Sequence, residues 1–104
     1  MLLGIDIGTS STKSLLIDER GRVLATASAP HAIHRDKPLW SEQQPDDWWR
    51  AVVASVREVI AKAAIDASQV RAVGLSGQMH GAVLLDKPAA TGGGQSAPVL
   101  RRAI

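Results

Sequence analysis

An aspartate inside an apolar run, followed at once by small hydroxyl residues, is where this chain could first do chemistry. The segment reads Gly4-Ile5-Asp6-Ile7-Gly8-Thr9-Ser10-Ser11-Thr12-Lys13. Leu3, Ile5 and Ile7 alternate onto one face of an extended strand, leaving Gly4, Asp6 and Gly8 on the other. Aspartate is depleted in strands, so Asp6 needs a reason. Nucleotide phosphate with its Mg²⁺ supplies one. Asp6 would hold the metal through water, because Mg²⁺ keeps much of its hydration shell. Gly4 and Gly8 let a charged ligand approach the backbone. The N–H groups and hydroxyls around Gly8, Thr9 and Ser10 can bind phosphate oxygens. The plainer alternative is a hairpin whose residues 8–11 merely turn the chain while Asp6 is solvated, and spacing alone does not choose between the two. The sequence contains neither G-x-x-x-x-G-K-[ST] nor G-x-G-x-x-G, so a phosphate site here belongs to a strand–turn–strand hairpin. Strand alternation does not fix which way Lys13 points.

Regular elements must position these groups. A first strand is predicted from Leu2 to Ile7 and a second from about Lys13 to Asp18. Glu19-Arg20-Gly21 is a turn signal, and a third strand follows from Arg22 to Ala27. Pro30 to Gln44 reads as a polar loop. Pro45 suits the first turn of a helix, and Asp46 and Asp47 favour the positive end of its dipole. Trp49, Val52, Val53, Val56, Val59, Ile60 and Ala63 then recur at helical spacing, with Arg50, Arg57, Glu58 and Lys62 on the other side. Trp48 and Trp49 are expected to anchor the helix start by packing, and Trp40 to pack near the helix entry. His31 and His34 lack any spacing for zinc and are expected to be solvated.

Beyond the helix, Val70 to Ser76 reads as a fourth strand, Gly77-Gln78-Met79-His80-Gly81 as a break, and Ala82 to Asp86 as a fifth strand. Residues 87–96 are rich in glycine and read as a linker, and residues 99–104 are too few to fold alone. The division is therefore 1–86 and 87–104. Three meandering strands, a crossover helix and a further strand parallel to the first predict an α/β mixed sheet, the incomplete opening of an actin-like or ribonuclease-H-like architecture.

Composition narrows the function classes. With 104 residues the chain is one small domain at most, and its hydrophobic fraction of 45% suits a packed core. The net charge of +2 is scattered and argues against nucleic acid. Cysteine is absent, which excludes disulfides and thiolate metal sites. No apolar run approaches the ~20 residues of a membrane span, and the N-terminus lacks signal-peptide features. A soluble, cytoplasmic protein is expected.

Three segments taken together resemble a known family. Gly4-Ile5-Asp6-Ile7-Gly8-Thr9-Ser10 is similar to the first phosphate motif of the FGGY carbohydrate kinases, a motif that other sugar kinases and actin-like ATPases share. Pro38-Leu39-Trp40-Ser41-Glu42-Gln43, with Pro45 and Trp48-Trp49 after it, resembles the loop into the first helix of the xylulokinase branch. Gly77-Gln78-Met79-His80-Gly81 resembles that branch's sugar-contact loop. The resemblance covers about residues 2–86. It implies transfer of a phosphoryl group from ATP, with Mg²⁺, to D-xylulose. Asp6 would be the metal- and phosphate-associated aspartate, Gly8, Thr9 and Ser10 would lie beside the phosphate, and Gln78, Met79 and His80 would contact the sugar. Gln78 and His80 project the same way if the backbone is extended, and both can hydrogen-bond a polyol. Duller roles remain open for them: a structural histidine at His80, a core filler at Met79.

Gln44 stands where the family usually has aspartate, and Arg102 where it has proline. Family members are several times longer, and the region of their general base has no counterpart here. The expectation is therefore a fragment, inactive by itself, with an unpaired sheet edge through which copies could self-associate. A kinase fragment for another sugar or polyol, and a non-catalytic interaction module, stay open as alternatives.

Overall fold

The computed structural model describes residues 1–79 and 81–83. A four-stranded sheet forms from β1 (Leu2–Ile7), β2 (Ser11–Ile17), β3 (Val23–Pro30) and β4 (Ala72–Gly77), in the order β3-β2-β1-β4. β2 is antiparallel to both neighbours, and β4 lies parallel to β1. That is the expected mixed-sheet topology, with the direction of β4 set by the crossover. The strand ends differ from expectation. β2 begins at Ser11 and β3 runs on to Pro30, because Ser11 and Pro30 are themselves ladder partners. Hydrophobic alternation is silent in such small and polar residues, so only the pairing reveals them. Of the expected fifth strand, Ala82 and Val83 lie in no strand. Its other residues, and the linker and terminal segment after them, lie outside the described residues.

Helix α1 (Pro45–Ala63) has the expected limits, with Pro45, Asp46 and Asp47 in its first turn. It stops at Ala64, which takes a left-handed φ of 53° and donates its N–H to the Ala61 carbonyl at 3.1 Å. A short 3₁₀ helix (Ala67–Gln69), capped by the Asp66 carboxylate on the Ser68 N–H, leads back to β4.

One face of α1 packs over β2 and β3. Leu3, Ile5, Leu16, Ala27 and Val59 form the buried core, flanked by Val52, Val56 and Ile60. Full burial of a side chain such as Leu16 or Val59 contributes roughly 1.5–3 kcal/mol. The middle of the helix face is polar. The Ser14 and Ser55 hydroxyls meet at 2.7 Å in the core, and Ser55 also donates to the Val52 carbonyl. A hydroxyl has one proton, so Ser14 is the donor between them.

Three expectations about large side chains are corrected. Trp49 is 68% exposed and anchors nothing, because it lies about 100° around the helix from Trp48, which is half-buried. Trp40 is exposed, with the Lys37 ammonium 4.6 Å from its ring centre. His31 is buried, not solvated, since its N–H donates to the Ser10 carbonyl and draws the loop under the end of the sheet. α1 barely reaches β1, so β4 is uncovered: every residue of β4 is exposed, Leu75 most among its large side chains. Among the described residues the outer edge of β4 has no strand partner, and no helix is long and apolar enough to cross a membrane.

Candidate functional site

Parallel β1 and β4 end side by side. Ile7 is in register with Gly77, and the Gln78 N–H donates to the Ile7 carbonyl at 3.0 Å. The 8–11 turn therefore leaves the sheet beside the segment that begins at Gln78. In open α/β sheets, the carboxyl ends of the strands are where ligands bind.

Register also settles the neighbours of Asp6. It stands opposite Lys13 on β2 and beside Ser76 on β4, and Lys13 in turn faces Ser28 on β3. The row crosses the sheet on the face away from α1. Asp6, Lys13, Ser28 and Ser76 all line an open groove of about 730 Å³. Lys13, whose direction alternation left open, is thus exposed on the same side as Asp6.

The turn is unusual in how it uses its backbone groups. The Gly8 N–H donates to the Ser11 carbonyl at 3.0 Å, closing the hairpin. A Cβ on residue 8 would sit 3.1 Å from that same oxygen, a tight approach that favours glycine here. The Thr9 carbonyl accepts from Gln43 Nε2 at 2.7 Å, and the Ser10 carbonyl accepts from the His31 N–H at 3.0 Å. Both acceptors of the turn thus face protein. Among the described residues, the N–H groups of Thr9 and Ser10 donate to nothing, and both residues are exposed. Unpartnered donors beside satisfied acceptors are the arrangement from which backbone anion-binding concavities are built.

Sequence reading did not assign any role to the residues that create this polarity. Gln43 is 5% exposed and lies 34 positions from Thr9. Its Oε1 accepts from Trp48 Nε1 at 2.7 Å. The motif around Trp40 and Gln43 carried a family resemblance, but nothing local to it points at the turn.

The structure brings Asp6, Gly8, Thr9, Ser10 and Gln78 to one end of the sheet. Met79 follows Gln78 and is 84% exposed among the described residues. His80 lies outside the described residues.

Residues 1–91 match the FGGY family of carbohydrate kinases, N-terminal domain. The chain belongs to that family. It is 41% identical over 104 residues to a xylulose kinase of Klebsiella pneumoniae, covering 100% of this chain and 20% of that protein. It is equally 41% identical over 86 residues to a glycerol kinase of Acidovorax sp. (strain JS42), covering 83% of this chain and 17% of that one. A crystal structure of a xyloylose kinase from Brucella ovis superposes with a TM-score of 0.77 at 42% identity, over 82% of this chain and 18% of that one. The chain spans about a fifth of the length of the curated relatives it matches.

Proposed function

We propose that this chain forms the phosphate-holding wall of a carbohydrate kinase cleft, for phosphoryl transfer from ATP to D-xylulose. The observation that carries the reading is the polarity of the 8–11 turn: among the described residues the Thr9 and Ser10 N–H groups have no partner, while the carbonyls of the same residues are bound to Gln43 and His31. Phosphoryl transfer asks a protein mainly for positioning and for stabilisation of charge. Gly8, Thr9 and Ser10 would hold the transferred phosphate. Gln78, Met79 and His80, at the end of β4, would contact the sugar.

Asp6 fits a metal that arrives on phosphate oxygens. It is an exposed carboxylate facing Lys13 across the ladder, and among the described residues no group of three or more acidic, histidine or cysteine side chains could form an all-protein cage. One carboxylate with retained water suits Mg²⁺. When bound, Mg²⁺ neutralises charge on the phosphate oxygens. The isolated chain is expected to turn over no sugar, because the family resemblance places the general base outside the residues matched here.

Titrating the isotopically labelled chain with Mg·ATP and following amide shifts tests the proposal. Gly8, Thr9 and Ser10 should move most, and Asp6→Asn should weaken the response about tenfold, the scale of one charge-assisted contact. Shifts confined to other regions would sink it. The equal identity to a glycerol kinase favours a second reading, with another polyol as acceptor. Adding D-xylulose or glycerol and comparing shifts at Gln78 and Met79 separates the two. Copies of the chain are also expected to pair through the uncharged outer edge of β4. Light scattering that stays monomeric at high concentration would exclude this.

A further inference from the structure

We infer that Gln43 is a positioning residue for the anion-binding turn: it orients the Thr9–Ser10 peptide, with Trp48 fixing which end of its amide faces the turn. The indole N–H can only donate, so the Gln43 atom facing Trp48 at 2.7 Å is the amide oxygen. The amide nitrogen is therefore the atom that faces Thr9. The Thr9 carbonyl can only accept, and it does so at 2.7 Å. Both contacts are short, and Gln43 is buried where no water competes strongly for them. A trans peptide is planar, with its C=O and N–H pointing opposite ways, and the chain has no cis peptide bond among the described residues. Drawing the Thr9 carbonyl inward therefore turns the Ser10 N–H outward, toward the incoming ligand. His31 holds the next peptide in place through the Ser10 carbonyl.

The requirement is specific. The residue at 43 must present one donor and one acceptor at opposite ends of a planar group. A carboxylate presents two acceptors and would repel the Thr9 carbonyl, whereas its protonated form regains a donor. Leucine approximates the shape and offers neither.

The role of this peptide in phosphate binding rests on the function proposed above, but its orientation can be measured without any ligand. The experiment compares the wild-type 104-residue chain with Gln43→Leu, Gln43→Glu and Trp48→Phe. Circular dichroism reports folding, and ¹⁵N relaxation reports order at Thr9 and Ser10. Gln43→Leu should lower the Ser10 order parameter from about 0.85 to below about 0.6, while the turn at Gly21 stays as it was. Trp48→Phe should give a smaller loss at the same residues. Gln43→Glu should be as disordered as Gln43→Leu near pH 7 and regain order as pH falls toward about 5, because burial raises the pKa of the introduced carboxyl. The wild type, run in parallel, controls for pH effects that do not involve residue 43.

A folded Gln43→Leu chain with unchanged order at Thr9 and Ser10 overturns the inference. If that variant fails to fold, the pH response of Gln43→Glu decides: no recovery of order in acid overturns it as well. Mg·ATP then separates the two layers. Affinity about tenfold weaker in Gln43→Leu supports positioning for phosphate. A wild-type turn that ignores Mg·ATP, with the order changes intact, removes the phosphate reading and leaves the positioning role standing.

Discussion

The two hairpin turns of the meander close similar antiparallel pairs, yet they use their backbone groups in opposite ways. At residues 18–22 the Asp18 carboxylate accepts from the N–H groups of Arg20 and Arg22, both at 2.9 Å, and from the Arg22 guanidinium at 3.1 Å. The Gly21 N–H donates to the Asp18 carbonyl, and the Asp18 N–H to the Arg22 carbonyl. Every one of those partners comes from within the turn. At residues 8–11 only the closing Gly8–Ser11 bond is internal, and the Thr9 and Ser10 carbonyls are held by Gln43 and His31 from beyond the hairpin. The first arrangement leaves little for a ligand. The second keeps donors free, and it can do so only because distant residues hold the acceptors. Satisfying a turn from within its own sequence stabilises it; satisfying half of it from elsewhere leaves its donors available to a ligand.

The contrast can be broken at its shared support. Leu16, fully buried on the strand that joins both turns, should cost about 2–5 kcal/mol when changed to alanine. Chemical denaturation with probes at Thr9 and Gly21 should show both turns lost together. Loss of one turn at lower denaturant would mean that the hairpins fold separately.

The two glycines sharpen the contrast further. Gly8→Ala should cost on the order of 1–3 kcal/mol, since the new methyl crowds the Ser11 carbonyl oxygen and the closing hydrogen bond must shift to make room. Gly21 has a φ of +80° and nothing within 4 Å of an added Cβ, so Gly21→Ala should cost only about 1 kcal/mol of backbone strain. Asparagine tolerates the left-handed region, so Gly21→Asn should recover much of that loss while Gly8→Asn recovers none. Thermal melts of the four variants test the pattern, and equal rescue at both positions would refute the distinction.

The smallest effect is electrostatic. The Arg22 and Arg20 N–H groups, with the nearby guanidinium, hold the Asp18 carboxyl below its ordinary value of 3.8. A depressed carboxyl stabilises the fold above its unfolded pKa, and that contribution fades as pH falls below 3.8 through the lowered value. In acid the 18–22 turn should therefore loosen with the Asp18 titration, and Asp18→Ala should abolish that step. Carbon-detected titration of the carboxyl checks it, and a pKa at or above 3.8 would contradict the assignment.

Much of this was legible in the sequence because it is local. Alternation of Leu3, Ile5 and Ile7 placed β1 correctly, Pro45 with the following stripe placed α1, and the meander with its crossover gave the parallel return of β4. Periodicity works there because adjacent residues share a face. It failed for Trp49, whose large apolar ring says nothing about which way the first helical turn points. It failed also for His31, whose polarity suggested solvent although its backbone ties it beneath the sheet end.

By itself, then, the sequence determined four strands, the helix, the turn at Glu19-Arg20-Gly21 and the candidacy of Asp6 with Gly8, Thr9 and Ser10. Tertiary structure decided whether that second turn was more than a bend. Its polarity depends on a hydrogen bond from Gln43 that spans 34 positions, and on an indole that fixes the orientation of the Gln43 amide. The bond to Thr9 does not exist until α1 packs on the sheet, because only then are the helix start and the end of β1 brought within hydrogen-bonding distance through one buried side chain.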